Sequence, residues 1–250
     1  MNLVIDIGNT FAKAAVFKGN QLQKAVHFRR SDLAPLEAFL EGVEPVACAF
    51  SSVADHTENI EAMLGRLKCK VLHVTGQTPV PFVNLYSTPK TLGSDRLAAV
   101  AGAFVLYPTT DILVIDAGTC ITYDFIDAKG CYRGGNISPG PAMRFQMLHE
   151  QTARLPLIDE EGGKPLLGDD TRTAIRSGVL HGVRYEMQGY ISELSEKHPN
   201  LKVVMTGGKK NNLILSYDLW NEIVHEPHLV EIGLNAILTY NLKTPDNNPF

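Results

Sequence analysis

Apolar positions along this 250-residue chain follow two rhythms, short runs suited to strands and longer stretches near helical period. Strand-like runs come first, at 3–9, 11–17 and 21–28. A helix is predicted over Leu33–Glu41, a strand over Val46–Phe50, a helix from about His56 to Leu67, and a strand over Cys69–Val74. The Pro- and Thr-rich loop Thr75–Thr91 leads to a helix from Asp95 to about Leu106, which ends before Pro108. At Asp111 the pattern begins again. Strands are predicted over 111–117, 119–126 and 130–137, then a helix over about 141–152 and a Gly/Asp-rich loop, Asp159–Asp170. A long helix from Thr171 to about Lys197 follows. A strand over Leu201–Thr206, a short helix, a strand near Glu222–Val224 and a last helix over about 229–242 complete the series, and the tail Lys243–Phe250 is expected to fray.

That order predicts an α/β protein of two domains, 1–110 and 111–250. Each would hold a mixed sheet, antiparallel on its hairpin side and parallel where βαβ crossovers join it, flanked by helices. Ligands would then belong in a cleft between the halves, beside the loops that leave the strands.

The repeat also has a chemical content. Residues 3–10 read Leu-Val-Ile-Asp-Ile-Gly-Asn-Thr and residues 113–120 read Leu-Val-Ile-Asp-Ala-Gly-Thr-Cys. In both, an apolar strand ends in Asp-x-Gly and a small polar residue, then turns back as a second strand. An aspartate at the end of a buried strand suits a hydrated Mg²⁺, and the glycine lets a phosphate approach backbone N–H groups. One Asp-x-Gly is an ordinary turn sequence. Two in equivalent places describe a pair of phosphate-gripping edges, and point to a kinase.

Composition narrows the partners. Twenty-three basic and 27 acidic residues give a formal charge of −4, and the pairs Arg29-Arg30 and Lys209-Lys210 read as solvated turns, so nucleic acid is not expected as a ligand. Cys48, Cys69, Cys120 and Cys131 have no C-x-x-C spacing and read as buried free thiols of a reducing compartment. Asp6 interrupts the apolar run near the N-terminus, which argues against a signal peptide. The longest apolar stretch, Leu97–Tyr107, is too short to cross a bilayer. No membrane association is expected, and the compartment expected is the cytoplasm.

Four further segments have a chemical and a structural reading each. Gly93-Ser94-Asp95-Arg96 can be a helix cap, or a carboxylate that accepts a hydroxyl proton beside an arginine that holds an anion. Tyr86 can pack or bind. Gly134–Gly140 (GGNISPG) can be a tight strand-to-helix turn or a set of N–H donors for a ligand. Met205-Thr206-Gly207-Gly208 can be a turn or a close seat for a purine or ribose. No G-x-x-x-x-G-K-[ST] or strand-linked G-x-G-x-x-G competes with them.

Taken together, DIGNT (6–10), Tyr86 with GSDR (93–96), DAGTC (116–120), GGNISPG (134–140), TxxAIxSG (171–178) and TGG (206–208) resemble type III pantothenate kinase in order and spacing, from residue 3 to about residue 242. The strand end Ser51-Ser52-Val53 also resembles the family. Cys120 stands where the family usually has alanine. The resemblance implies the acetate and sugar kinase/Hsp70/actin superfamily: an actin-like ATPase fold of two ribonuclease H-like halves. It implies phosphorylation of pantothenate by ATP, the first step of coenzyme A synthesis, by a homodimer with pantothenate bound near the subunit interface. The run Asp6, Ile7, Gly8, Asn9, Thr10, Phe11, Ala12 and Lys13 would hold ATP phosphates and Mg²⁺, and Thr119 would bond ATP from the second edge. Asp116 would help bind a monovalent cation, K⁺ or NH₄⁺. Tyr86, Gly93, Ser94, Asp95, Arg96 and Thr171 would contact pantothenate, with Asp95 as the base. Two other readings keep the same residues: a kinase of the superfamily with another small acceptor, or a silent relative that binds nucleotide and regulates.

Overall fold

Leu3, Val4 and Ile5 form an unbroken apolar run, and a strand without alternation belongs where both its faces are covered. In the computed structural model, which describes residues 1–53, 58–207 and 223–244, all three are fully buried. They lie in β1 (Asn2–Ile7), the middle strand of a five-stranded sheet. On one side β1 pairs antiparallel with β2 (Phe11–Lys18), which pairs antiparallel with β3 (Gln21–Arg29). On the other it runs parallel to β4 (Ala47–Ser52), which is parallel to β5 (Lys70–Val74). The sheet order is β3-β2-β1-β4-β5. Helices α1 (Ala34–Leu40) and α2 (Glu58–Leu64) bury Leu36, Ile60 and Leu64 in one cluster with Leu3, Ile5 and Ile7.

The second sheet repeats this order. Its strands are β7 (Ile112–Ala117), β8 (Cys120–Ile126), β9 (Cys131–Pro139), β10 (Lys202–Thr206) and β11 (Ile223–His225), with the short β6 (Val83–Asn84) at one edge. The order is β11-β10-β7-β8-β9-β6, with β10 parallel to both β7 and β11. Counted from β9, the strands come third, second, first, fourth and fifth, as in the first sheet, so the expected ribonuclease H-like repeat is present. Helices α4 (Pro141–Glu150) and α5 (Thr171–Lys197) lie in this half, and α5 buries Val183 and Met187 against Leu113, Ile115 and Ile121.

The compact units differ from a simple cut at residue 110. One comprises Met1–Thr109, Ile126–Gly134 and the chain from His228 onward; the other comprises Thr110–Phe125 and Gly135–Pro227. The last helix, α6 (Leu229–Lys243), falls in 111–250 by its place in the sequence, yet it packs in the first unit on α3 (Ser94–Leu106). The cause is steric. A Cβ on Gly233 would sit 1.8 Å from the carbonyl oxygen of Ala98, and one on Gly102 would sit 2.2 Å from that of Leu229. Small residues on both helices allow backbones to meet where side chains normally intervene. The loop 75–91 also holds more structure than expected. β6 pairs parallel with Cys131 and Tyr132, and a 3₁₀ turn spans Pro89–Thr91. The short helix expected after Thr206, Gly208 of the TGG motif and the tail from 245 lie outside the described residues.

Candidate active site

In the first unit the Asp-x-Gly turn is closed by the Gly8 N–H donating to the carbonyl of Phe11 at 3.0 Å. A Cβ on Gly8 would lie 2.9 Å from that oxygen, so the turn itself requires glycine here. Asn9, Thr10 and Phe11 are exposed. Ile7 and Ala12 are buried in the core, so any ligand role they have rests on backbone alone.

Asp6 is half-buried at the end of β1, opposite Lys13 of β2 in register, and accepts a hydrogen bond from the Ser51 hydroxyl at 2.8 Å. Its pKa is pushed up to about 6. Loss of water on burial is the main cause. The Ser51 hydrogen bond opposes it, the charges of Glu231 and Asp95 add to it, and Lys13 counteracts it. The carboxylates of Asp95 on α3 and Glu231 on α6 therefore both act on Asp6 within this unit.

The start of α3 supplies the second half of this face. Gly93 is the N-cap residue, and the Asp95 carboxylate folds back to accept the Arg96 backbone N–H at 2.8 Å. A Cβ on Gly93 would fall 2.4 Å from that same Asp95 oxygen, so the glycine makes room for the carboxylate. The Ser94 hydroxyl donates to the Ser52 carbonyl at 3.4 Å. Arg96 is 5% exposed. Its Nη2 donates to the Tyr132 hydroxyl at 3.2 Å, and its guanidinium carbon lies 5.5 Å from the centre of the Tyr86 ring. The Tyr86 and Tyr132 rings are near parallel, at 11° and 6.1 Å, while the Tyr86 N–H donates to Asn84 Oδ1 at 3.0 Å. The guanidinium is thus fixed in orientation, as bidentate binding of a carboxylate or phosphate requires.

The second unit carries the matching turn. Asp116 ends β7, beside Thr206 in register. Gly207 has φ +73°, and a Cβ there would lie 2.2 Å from Asp116 Oδ1. Close approach to this carboxylate is therefore what the structure requires of Gly207. The Gly118 N–H donates to the Cys120 carbonyl, and the exposed Thr119 accepts from the Gly140 N–H, each at 3.0 Å. Gly134–Pro139 continue strand β9 instead of forming a turn, and a Cβ on Gly135 would be 1.9 Å from the Tyr123 carbonyl. Cys120 corrects the expectation of buried thiols. It is exposed, with Sγ 3.8 Å from Met143 Sδ, whereas Cys48 is buried and burial pushes its thiol pKa up. Thr171 is exposed as the first residue of α5. Asp170 caps that helix by accepting the Thr173 N–H at 2.8 Å, which holds its carboxyl below the usual range.

Three contributors were not singled out as site residues from the sequence. Ser51 appeared there only as part of a strand-end resemblance. Tyr132 lies in a strand whose neighbours gave no special signal. Glu231 had one: it and Asn235 are spaced i, i+4 on the buried face of a mostly apolar helix, where a buried carboxylate is unusual.

Chemically, the first unit offers the Asp6 carboxylate at a glycine turn, an oriented guanidinium for an anion, and a carboxylate beside it that can take a hydroxyl proton. Among the described residues no group of three or more His, Cys, Asp or Glu side chains can hold a metal ion by itself.

The family model described as type III pantothenate kinase matches residues 2–193 of this chain. A type III pantothenate kinase from Bacteroides fragilis (strain ATCC 25285) is 47% identical, covering 96% of this chain and 98% of its own length. One from Phocaeicola vulgatus is 45% identical, covering 97% and 100%. Among solved structures, the activator of the 2-hydroxyisocaproyl-CoA dehydratase from Clostridium difficile with bound ADPNP has a TM-score of 0.52 at 13% identity, covering 96% of this chain and 93% of that one; this is a likeness of fold.

Proposed function

The chain belongs to the type III pantothenate kinase family, and on that premise we propose how its residues divide the transfer of the ATP γ-phosphoryl group to the hydroxyl of pantothenate. The observation that carries the reading is the shared electrostatics of Asp6 and Asp95 beside a fixed Arg96. Asp6 and the turn through Lys13 hold the phosphates, with Thr119 bonding ATP from the second edge. Bound there with ATP, Mg²⁺ supplies neutralisation of the charge spread over the transferring group. Arg96, braced by Tyr86 and Tyr132, holds the pantothenate carboxylate, with Gly93, Ser94 and Thr171 as further contacts. Asp95 orients the alcohol and takes its proton. A primary alcohol is a weak nucleophile, so alignment and charge neutralisation carry most of the rate, and the carboxylate adds the rest. ADP release by the purified protein with pantothenate, against a panel of other alcohols and sugars, tests this reading. Turnover of a sugar without turnover of pantothenate would overturn it.

Asp116 serves a monovalent cation in this proposal. It repeats Asp6, and one Mg²⁺–ATP does not need two equivalent carboxylates at the same metal. Activity is expected to require K⁺ or NH₄⁺. Equal rates in Na⁺ at matched ionic strength would contradict this.

The working form is a homodimer in the cytoplasm. No described helix is long and apolar enough to cross a membrane. Most of the apolar residues of α5 give dimerisation little support, since Leu180, Val183 and Met187 are buried in their own chain. Support comes instead from the apolar groove of about 740 Å³ between α4 and α5, lined by Met143, Met147, Thr171 and Ala174 among others. In the loop that leads into α5, Leu166 and Leu167 are 69% and 85% exposed. Large exposed apolar residues beside a substrate contact are what a subunit interface would cover. Light scattering is expected to give twice the chain mass; a fully active monomer at assay concentration would refute it.

A further inference from the structure

Glu231 acts on Asp6, yet it takes no part in the transfer as divided above. It lies in the first turn of α6 and is 0% exposed, and neither carboxylate oxygen has a hydrogen-bond partner. Facing it are the Lys13 ammonium, with Nζ at 3.7 Å, and the His228 ring, with Nδ1 at 3.8 Å, both from Oε1. A buried carboxylate without donors is costly unless a charge compensates it. At 3.7 Å, Lys13 is held by charge and not by a hydrogen bond to Glu231. The carboxylate is also rigidly placed. Gly233, two residues on, is locked against the Ala98 backbone, and Asn235, one turn on, accepts from Asn2 Nδ2 through its Oδ1 and donates to the Gly19 carbonyl, each at 2.9 Å. Its charge reaches both Asp6 and His27, so it faces the turn end of β1 and β2.

We propose that Glu231 is a positioning residue of the phosphate edge, whose buried carboxylate holds the Lys13 ammonium beside Asp6 before nucleotide arrives. This rests on the reading of Lys13 as a phosphate contact. A lysine carries its charge on a flexible four-carbon stem, and confining it in advance removes an ordering cost from binding. The effect should therefore fall on nucleotide affinity and pass through Lys13.

The test is a double-mutant cycle on the full chain with Glu231→Gln, Lys13→Met and both together. It is read by MgADP titration calorimetry, the KM for ATP and kcat. Glu231→Gln is expected to weaken MgADP and raise the KM for ATP about tenfold, with kcat changed less than about threefold, and to have almost no further effect in the Lys13→Met background. Equal losses in both backgrounds would make Glu231 structural and overturn the proposal. Tighter binding in Glu231→Gln would overturn it too, by showing that Glu231 competes with phosphate for the lysine. If Lys13→Met leaves nucleotide binding unchanged, the underlying reading of Lys13 fails and the proposal with it. Should Glu231→Gln not fold, Glu231→Asp keeps the charge but draws it back, and is expected to weaken nucleotide in the same Lys13-dependent way.

Discussion

Asp95→Asn is expected to lose at least about 10²-fold in kcat while melting within a few degrees of wild type. The structure separates the two roles this residue can play. As a member of the first turn of α3, Asp95 accepts the Arg96 N–H through Oδ1, a bond that an asparagine oxygen can also accept. The room that Gly93 leaves for the side chain is unchanged, because the substitution is isosteric. Helix geometry, the Arg96–Tyr132 hydrogen bond and the Tyr86 contact should all persist. What asparagine cannot do is take a proton. General-base assistance is worth about 10²–10⁴-fold, and on the proposed division of roles the loss should appear in kcat, with pantothenate binding kept. Thermal melting, nucleotide binding and single-turnover rates measured on one preparation check it. Near wild-type turnover would return Asp95 to a purely structural place and leave the alcohol's proton without an assigned acceptor.

Much of this face was legible because its signals are local. A buried strand written Leu-Val-Ile, a turn that needs glycine and a helix opening on Gly-Ser-Asp-Arg are each set by a few consecutive residues, and the structure finds them in the expected elements. The repeat was legible for the same reason, since each hairpin carries its own turn. What the sequence could not show are partnerships made across long separations. Tyr132 acquires its role only when β9 brings it to Arg96, and Ser51 only when β4 pairs with β1. The last helix joins the first unit because of Gly102 and Gly233, residues whose significance is the absence of a side chain, and neither interrupts the helical pattern enough to draw notice. Helix α5 shows a different limit. Val179, Val183 and Met187 recur at helical spacing, but period does not say which surface covers the apolar face, and here the chain's own sheet and loops do so.

Asp6→Asn should abolish turnover and make the protein more stable at the same time. The substitution removes the carboxylate that would hold Mg²⁺–ATP, so kcat/KM is expected to fall by at least about 10²–10³-fold. The stability change follows from linkage. In the folded chain the Asp6 pKa is about 6, against 3.8 for the free side chain. The folded state therefore holds this proton more tightly, and between those values stability falls as pH rises. Above pH 6 the cost of the ionised group is complete; below 3.8 it is absent. Taken at face value the shift corresponds to about 3 kcal/mol, and since Asp6 is only half-buried, solvent screening leaves a cost on the order of 1–3 kcal/mol. Asparagine keeps an oxygen for the Ser51 hydroxyl and carries no charge to repel Glu231 and Asp95. Without nucleotide or divalent cation, the variant is expected to melt several degrees above wild type at pH 8, with the gap closing as pH falls towards 4. A melting point unchanged or lowered at pH 8 would show that the three carboxylates do not strain the apo protein. A gap that widened on acidification would reverse the sign of the argument. If both halves of the result hold, the site keeps a stability cost that its cation relieves, and Mg²⁺–ATP should raise the melting point of wild type but not of Asp6→Asn.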